Sequence, residues 1–130
     1  MDLQLSLIDF WFRLTKNLIK REDYRSITPY WCNRFLLQNG EKQKKEWWAK
    51  YLQYYSIETI INAIETNCQI HRVSFKNFTT NTMTLGYPKS TDTSRIIKFK
   101  HAGIEIKTGN PEWGAEPNKL YFVIKHGDRL

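Results

Sequence analysis

The chain has 130 residues, of which 20 are basic and 13 acidic, and these give a net charge of +7. This length predicts a single domain over residues 1–130, and a hydrophobic fraction of 41% supplies a core without disulfide or metal support. The charge favours a polyanionic partner, and no apolar run approaches the ~20 residues of a membrane-spanning helix, so we expect no membrane partner.

The cysteines and histidines show no metal-binding or catalytic spacing. Cys32 and Cys68 are far apart, and neither belongs to a CxxC or CxxH pattern. His71, His101 and His126 have unrelated spacings, and a glycine-rich phosphate loop is absent. We therefore expect no metal and no cofactor. Because the sequence has no signal-peptide pattern, we expect reduced thiols and a cytoplasmic location.

The first half of the chain is predicted to be mainly helical. Residues 3–8 alternate in hydrophobicity and predict a short strand, after which Asp9 is expected to cap a helix. Thr28-Pro29 has the residue types of a helix cap followed by a first helical residue. We expect this second helix to continue as far as Asn39-Gly40, a typical helix stop.

A segment rich in aromatic residues and lysine follows. Residues 41–55 predict an amphipathic helix whose aromatic residues share one side and whose lysines crowd its start. Positive charge at that end opposes the helix dipole, so the lysines either serve another role or form a solvated cluster. Ser56 is expected to cap a further helix, in which isoleucines recur at i, i+3, i+4 and i+7.

From about residue 69 the hydrophobic pattern changes to a period of two. Strands are predicted within residues 70–78, 81–87, 95–106 and 120–127, with a turn or bulge near Ala102-Gly103. Helices thus precede strands along the chain. This order predicts an α+β fold in which antiparallel strands form a sheet or a small barrel.

Glycines and prolines punctuate the segment 108–122, which predicts a rigid loop that presents Glu112, Trp113 and Glu116. A tryptophan in such a loop can stack on a base or close one end of a barrel, and both interpretations stay open. Either glutamate can act as a general acid or base if the fold brings it near Lys20, or it can be an ordinary exposed carboxylate.

Residues 19–31, "IKREDYRSITPYW", resemble the signature of ASCH domains, which belong to the PUA-like superfold. The ASCH pattern G-x-K-x-x-E-x-R falls on Leu18, Lys20, Asp23 and Arg25. Leu18 thus stands at the glycine position, and Asp23 stands at the glutamate position.

The resemblance extends to a bacterial or phage sub-branch of ASCH domains that carries PYW and PEWGAE motifs. It covers most of the chain outside a predicted helical insert at about 38–68. It implies a small antiparallel or mixed β-barrel of PUA-like type with flanking helices. The further matching positions are Trp11-Phe12, Tyr24-Arg25, 29–31, Arg34, 86–88, 103–106 and 111–124.

In ASCH domains this motif lines a cleft that is thought to meet RNA or a nucleobase, and a small relative hydrolyses acetylated cytidine with a lysine, a hydroxyl residue and a later glutamate. The resemblance therefore implies Lys20, Asp23 and Glu112 as catalytic candidates, although Asp23 does not preserve the hydroxyl. The implied residues for binding RNA or a nucleoside are Lys20, Tyr24, Arg25, Trp31, Arg34 and Trp113.

Three functions stay open on the sequence. The first is a module that binds RNA, or DNA, through a basic cleft with aromatic stacking. The second is a hydrolase acting on RNA or a modified nucleoside. The third is an interaction factor that docks an acidic protein through residues 41–66. A structural interpretation of the charged segment, as Lys20–Asp23 and Glu22–Arg25 ion pairs that brace the barrel mouth, also stays open.

Overall fold

A computed structural model describes residues 1–66 and 72–130, so Cys68 and His71 lie outside the described residues. The chain divides into two compact units. We call residues 1–24 with 77–130 the sheet unit, and residues 25–76 the helical unit.

Helices and strands occur in the following order. The elements are β1 (Asp2–Leu7), α1 (Asp9–Lys16), β2 (Glu22–Ser26), α2 (Pro29–Phe35), β3 (Leu36–Gln38), α3 (Lys45–Tyr54), α4 (Ile57–Thr66), β4 (Val73–Phe75), β5 (Thr80–Leu85), β6 (Ile96–Thr108) and β7 (Leu120–Arg129). Short 3-10 turns occupy Thr93–Arg95 and Pro111–Trp113. Among the residues described, no helix is both long and apolar enough to cross a bilayer.

A mixed five-stranded sheet in the order β1-β5-β6-β7-β2 curls into a half-barrel. β1 runs parallel to β5, whereas β5, β6 and β7 pair in antiparallel fashion. The alternation in β1 buries Leu3 and Leu5 on the core face, where they join Phe99 and Phe122. The predicted α+β class with a curved, mixed sheet is therefore confirmed.

The predicted irregularity in the long strand β6 is also present. The register with β7 shifts between Phe99 and His101 and again between His101 and Ile104. Gly103 lies within this bulge with a φ of +116°, a backbone conformation that favours glycine. The bulge bends β6, so this strand contributes to the curl of the sheet.

The turn after α1 places Leu18 in the left-handed region, with a φ of +60°. The N–H of Leu18 donates to Thr15 O at 3.1 Å, and the N–H groups of Ile19 and Lys20 both donate to Leu14 O. The chain thus makes a tight turn at Leu18, the position at which the ASCH pattern has glycine. The Cβ atom of Leu18 makes this left-handed conformation sterically costly.

The start of α1 differs from the one predicted from the sequence. Asp9 is the first helical residue and not its cap, because Ile8 occupies the cap position and makes no side-chain hydrogen bond there. The Asp9 carboxylate instead pairs with Arg13 one turn later, at 2.8 Å. An acidic side chain in the first turn still complements the helix dipole.

In the helical unit, α2 begins as predicted, because the Thr28 hydroxyl accepts a hydrogen bond from Trp31 N at 3.3 Å and Pro29 is the first helical residue. The predicted end at Asn39-Gly40 is wrong. The helix stops at Phe35, since the next three residues form β3 and pair antiparallel with β4. Asn39 and Gly40 make a turn with positive φ instead.

The helices α3 and α4 form the rest of the helical unit. α3 starts at Lys45 and not at residue 41, and it buries Trp48 completely. Ser56 caps α4 as predicted, because its hydroxyl accepts from Thr59 N at 3.2 Å. Ile60 supplies the buried face of α4.

Candidate functional site

Lys20 and Asp23 form a buried ion pair in the sheet unit. The Lys20 Nζ lies 3.2 Å from the Asp23 Oδ1, and the two side chains are only 3% and 4% exposed. Two aromatic rings flank the amine, with the ring centre of Trp11 at 5.6 Å and that of Tyr24 at 5.4 Å. A cation between aromatic faces is electrostatically stabilised there. Of the two ion pairs in the structural interpretation of this segment, Lys20–Asp23 is therefore present.

The loop between β6 and β7 packs closely on these rings. A Cβ atom added to Gly109 would lie 2.8 Å from the Tyr24 ring, and one added to Gly114 would lie 2.7 Å from Trp11. Both positions therefore need glycine for the loop to approach. The Tyr24 hydroxyl accepts a hydrogen bond from Asn110 N at 2.9 Å, which fixes the start of the loop.

The phenol of Tyr24 is held in its protonated form. Burial raises the pKa of Tyr24 well above its ordinary value, and the carboxylates of Glu22 and Asp23 raise it further. The hydroxyl can therefore donate to Glu22 Oε2, at 2.8 Å, while it accepts from the loop. Tyr24 thus works as a bridge between β2 and the loop, a role that the sequence did not indicate.

Glu112 and Trp113 lie in the 3-10 turn of the same loop. The backbone N–H of Glu112 donates to Asn110 Oδ1 at 3.0 Å, and its carboxylate is exposed. Trp113 is partly buried. Among the described residues, no hydrogen bond or ion pair joins the carboxylate of Glu112 to Lys20. The structure brings Lys20 and Asp23 together, whereas it leaves the third catalytic candidate at the surface.

Asn81 joins two histidines that the sequence left unconnected. Its Oδ1 accepts from His101 Nδ1 at 2.7 Å, and its Nδ2 donates to His126 Nδ1 at 2.9 Å and to Lys125 O at 3.0 Å. This pattern leaves the proton of the His126 imidazole on Nε2. Burial lowers the pKa of His126 to about 4, and it also lowers the pKa of His101. His101 is half-buried.

The helical unit carries the other predicted binding residues. The Arg25 guanidinium lies 4.8 Å from the Trp31 ring centre, and that of Arg34 lies 5.4 Å from it. Tyr30 is 50% exposed and meets Trp31 edge-on, while its hydroxyl accepts a hydrogen bond from Arg34 Nη1 at 3.2 Å. We call Arg25, Tyr30, Trp31 and Arg34 the arginine–aromatic cluster.

Two lysines add positive charge near this cluster. The pKa of Lys76 is lowered first by burial and then by the charges of Lys42 and Arg34. These cations therefore lie close enough to repel one another. The Lys76 amine is held by a 2.7 Å hydrogen bond to Asn33 O. The positions of Lys42 and Lys76 along the chain do not indicate this arrangement.

Cys32 lies within the same helix α2 as Tyr30 and Trp31, but it is fully buried. Burial raises the pKa of the Cys32 thiol to about 12, so the thiol stays protonated and is a poor nucleophile. Among the described residues, no group of three His, Cys, Asp or Glu side chains is arranged to hold a metal ion.

The predicted site residues therefore fall into two sets. Lys20, Asp23, Tyr24, Glu112 and Trp113 belong to the sheet unit, and the three predicted residues of the arginine–aromatic cluster belong to the helical unit. No protein-family model, curated protein or solved structure matches the chain. The resemblance to ASCH domains stays a prediction.

Proposed function

We propose that the chain is an ASCH-like domain that binds single-stranded RNA or its bases, and that the arginine–aromatic cluster is the contact surface. The observation that carries this proposal is the packing of the Arg25 and Arg34 guanidinium groups against Trp31, beside a half-exposed Tyr30. Lys42 supplies further positive charge, since it lowers the pKa of the partly buried Lys76 together with Arg34.

The chemistry of this surface suits phosphate and base contacts. A guanidinium group binds a phosphate in bidentate fashion, and its plane can also stack on a base. Trp31 already stacks on Phe35, with ring centres 5.4 Å apart and planes 19° from parallel. A base is therefore expected to stack on Tyr30 or on the guanidinium planes, and not on both faces of Trp31.

Single strands are favoured over duplexes as the ligand. Unpaired bases can lie on exposed aromatic and guanidinium surfaces, whereas a duplex keeps its bases stacked on one another. The net charge of +7 assists association with any nucleic acid. We therefore expect an RNA affinity that depends both on aromatic stacking and on the salt concentration.

Fluorescence anisotropy with a labelled single-stranded RNA tests the proposal. If Arg25, Arg34, Lys42 and Lys76 each neutralise one phosphate, the logarithm of the association constant should fall with the logarithm of salt concentration with a slope of about −3, at roughly 0.7 per contact. A slope near zero would contradict the proposal.

Single substitutions make the test specific. Arg34→Gln should weaken RNA binding about tenfold and reduce the salt slope by about 0.7. Tyr30→Ala should weaken binding at every salt concentration without changing the slope, because stacking releases no counterions. Arg95→Gln is a matched control, since Arg95 is an exposed arginine of the sheet unit. Equal losses in Arg34→Gln and Arg95→Gln would assign the binding to net charge alone.

The buried ion pair supports a second candidate function, hydrolysis of a modified nucleoside. An amine that contacts a carboxylate between the rings of Trp11 and Tyr24 has the residue types for base stacking and proton transfer. The side chain of Lys20 is 3% exposed, so this reaction requires the covering loop to open. Acetylated cytidine is a suitable first substrate, since the resemblance implies it. Turnover that survives Lys20→Met would exclude Lys20 from the chemistry.

A further inference from the structure

A cavity of about 480 Å³ opens on the polar face of the sheet unit. Residues that pair across three strands form its floor, since Gln4 pairs with Thr82 and Thr82 pairs with Lys98. Paired residues of adjacent strands project from the same face, so these three side chains form one row across β1, β5 and β6. The volume lies within the range of small-molecule sites.

The walls of the cavity come from two other segments. The loop that follows β5 contributes Pro88, Ser90 and Thr93. The end of β7 contributes Arg129 to the lining, and the N–H of Leu130 donates to Lys98 O at 2.9 Å, which holds this strand end beside β6. Residues with hydroxyl groups and residues with positive charge therefore line the same space.

The acidic side chain of the cavity is fixed by a buried hydroxyl. Thr82 is 6% exposed, and its Oγ1 donates to Asp2 Oδ1 at 2.8 Å. The neighbouring Thr84 hydroxyl donates to Gly86 O at 2.8 Å, which ties the start of the wall loop to the floor. The carboxylate of Asp2 thus has a defined position and keeps acceptor capacity toward the cavity.

The two cations of the cavity are open to a ligand. Among residues 1–66 and 72–130, neither Lys98 nor Arg129 forms an ion pair with a carboxylate. Both line the same cavity, where Ser90 and Thr93 can donate further hydrogen bonds. Serine and threonine hydroxyls beside Arg and Lys are a donor set that suits a phosphate group.

We propose that this cavity binds a ribose phosphate group, either as a free sugar phosphate or as part of a mononucleotide. The phosphate lies between Lys98 and Arg129, and the sugar hydroxyls donate to Asp2. Ile96 and Pro88 supply an apolar wall for the ring of the ligand. This site lies wholly within the sheet unit and does not depend on RNA binding by the arginine–aromatic cluster.

Titration of the ¹⁵N-labelled protein with ribose 5-phosphate, followed by NMR, tests the proposal. We expect saturable shifts of the Thr82, Thr93 and Lys98 amide signals. Adenosine monophosphate distinguishes the sources, since binding at least about tenfold tighter than ribose 5-phosphate assigns a nucleotide and equal binding assigns a sugar phosphate. Inorganic phosphate binding as tightly as ribose 5-phosphate, or the absence of saturation by roughly 10 mM ligand, would overturn the proposal.

Matched variants locate the binding. Lys98→Gln and Arg129→Gln should each weaken ribose 5-phosphate binding about tenfold, because each removes a charge-assisted hydrogen bond. Lys100→Gln is the control, since Lys100 pairs with Thr80 on the same face but does not line the cavity. Loss of binding in Lys100→Gln equal to that in Lys98→Gln would reduce the effect to surface charge. Preserved amide spectra show that each variant is folded.

Discussion

Removal of the Lys20 amine is expected to destabilise the protein severely. In Lys20→Met the apolar stem is kept, so packing against Trp11 and Tyr24 survives while the positive charge is lost. Asp23 would then be a buried carboxylate, only 4% exposed, without the ammonium that lies 3.2 Å away. Removal of the ammonium partner of a buried carboxylate is among the few single changes that cost several kcal/mol.

The size of the effect follows from the burial of both partners. Breaking a desolvated ion pair on one side costs about 3–5 kcal/mol of the free energy of unfolding. For 130 residues the entropy of unfolding is roughly 0.27 kcal/mol per degree, so this loss corresponds to a midpoint about 10–20 °C lower. The double variant Lys20→Met with Asp23→Leu removes both charges and should recover to within about 1–2 kcal/mol of the wild type.

Urea denaturation followed by circular dichroism and tryptophan fluorescence measures these differences. Lys16→Met is the control, because Lys16 is an exposed lysine near the end of α1, and it should change stability by less than about 0.5 kcal/mol. If Lys20→Met stays within about 1 kcal/mol of the wild type, or if the double variant is no better than Lys20→Met alone, the ion pair is not desolvated as described.

Three further substitutions test single features of the sheet unit and of the turns. Burial holds the pKa of His126 near 4, so between pH 6.5 and pH 4 the unfolded chain takes up a proton that the native state does not. The free energy of unfolding of the wild type should therefore fall by up to about 3 kcal/mol as the pH is lowered through this window. Urea denaturation at each pH should show a smaller fall in His126→Asn. Gly114→Ala should lower the free energy of unfolding by about 1–3 kcal/mol, because the added Cβ would meet Trp11. Gly40→Ala is the control and should lower it by less, because Gly40 also has a positive φ but has open space around it. Equal losses in the two variants would show that the contact with Trp11 is unimportant. Leu18→Gly should raise the thermal midpoint, with a gain of about 1 kcal/mol, and a lower midpoint would show that the left-handed turn carries no strain.

Elements with strong local signals were predictable from the sequence. The start of α2 is set by Thr28-Pro29, and the bulge of β6 is set by Gly103, so both depend on residues that are adjacent in the chain. The end of α2 was not predictable in this way. The residues from Leu36 onward are of types that can continue the helix, but they form β3, in which Leu36 pairs with Phe75 of β4. Such distant pairing overrides local helix propensity.

The candidate site was predictable only in part. The contact between Lys20 and Asp23 follows from their close spacing in the motif. The packing of the loop between β6 and β7 on the rings beside this pair could not be predicted, because the contact of Gly114 with Trp11 joins residues that are far apart in the chain. The link between His101 and His126 likewise depends on their pairing across β6 and β7, which no sequence spacing reveals.

The parallel pairing of β1 with β5 has a consequence for the order of events during synthesis. Asp2 pairs with Thr80, so β1 has no partner strand until the ribosome has released the chain beyond the helical unit. Residues 25–76 are continuous and can complete their own contacts earlier. The leucines of β1 therefore stay exposed throughout translation of the helical unit, and closing the sheet requires a long loop to be fixed last. A chaperone that shields apolar segments of a nascent chain would find a target in β1.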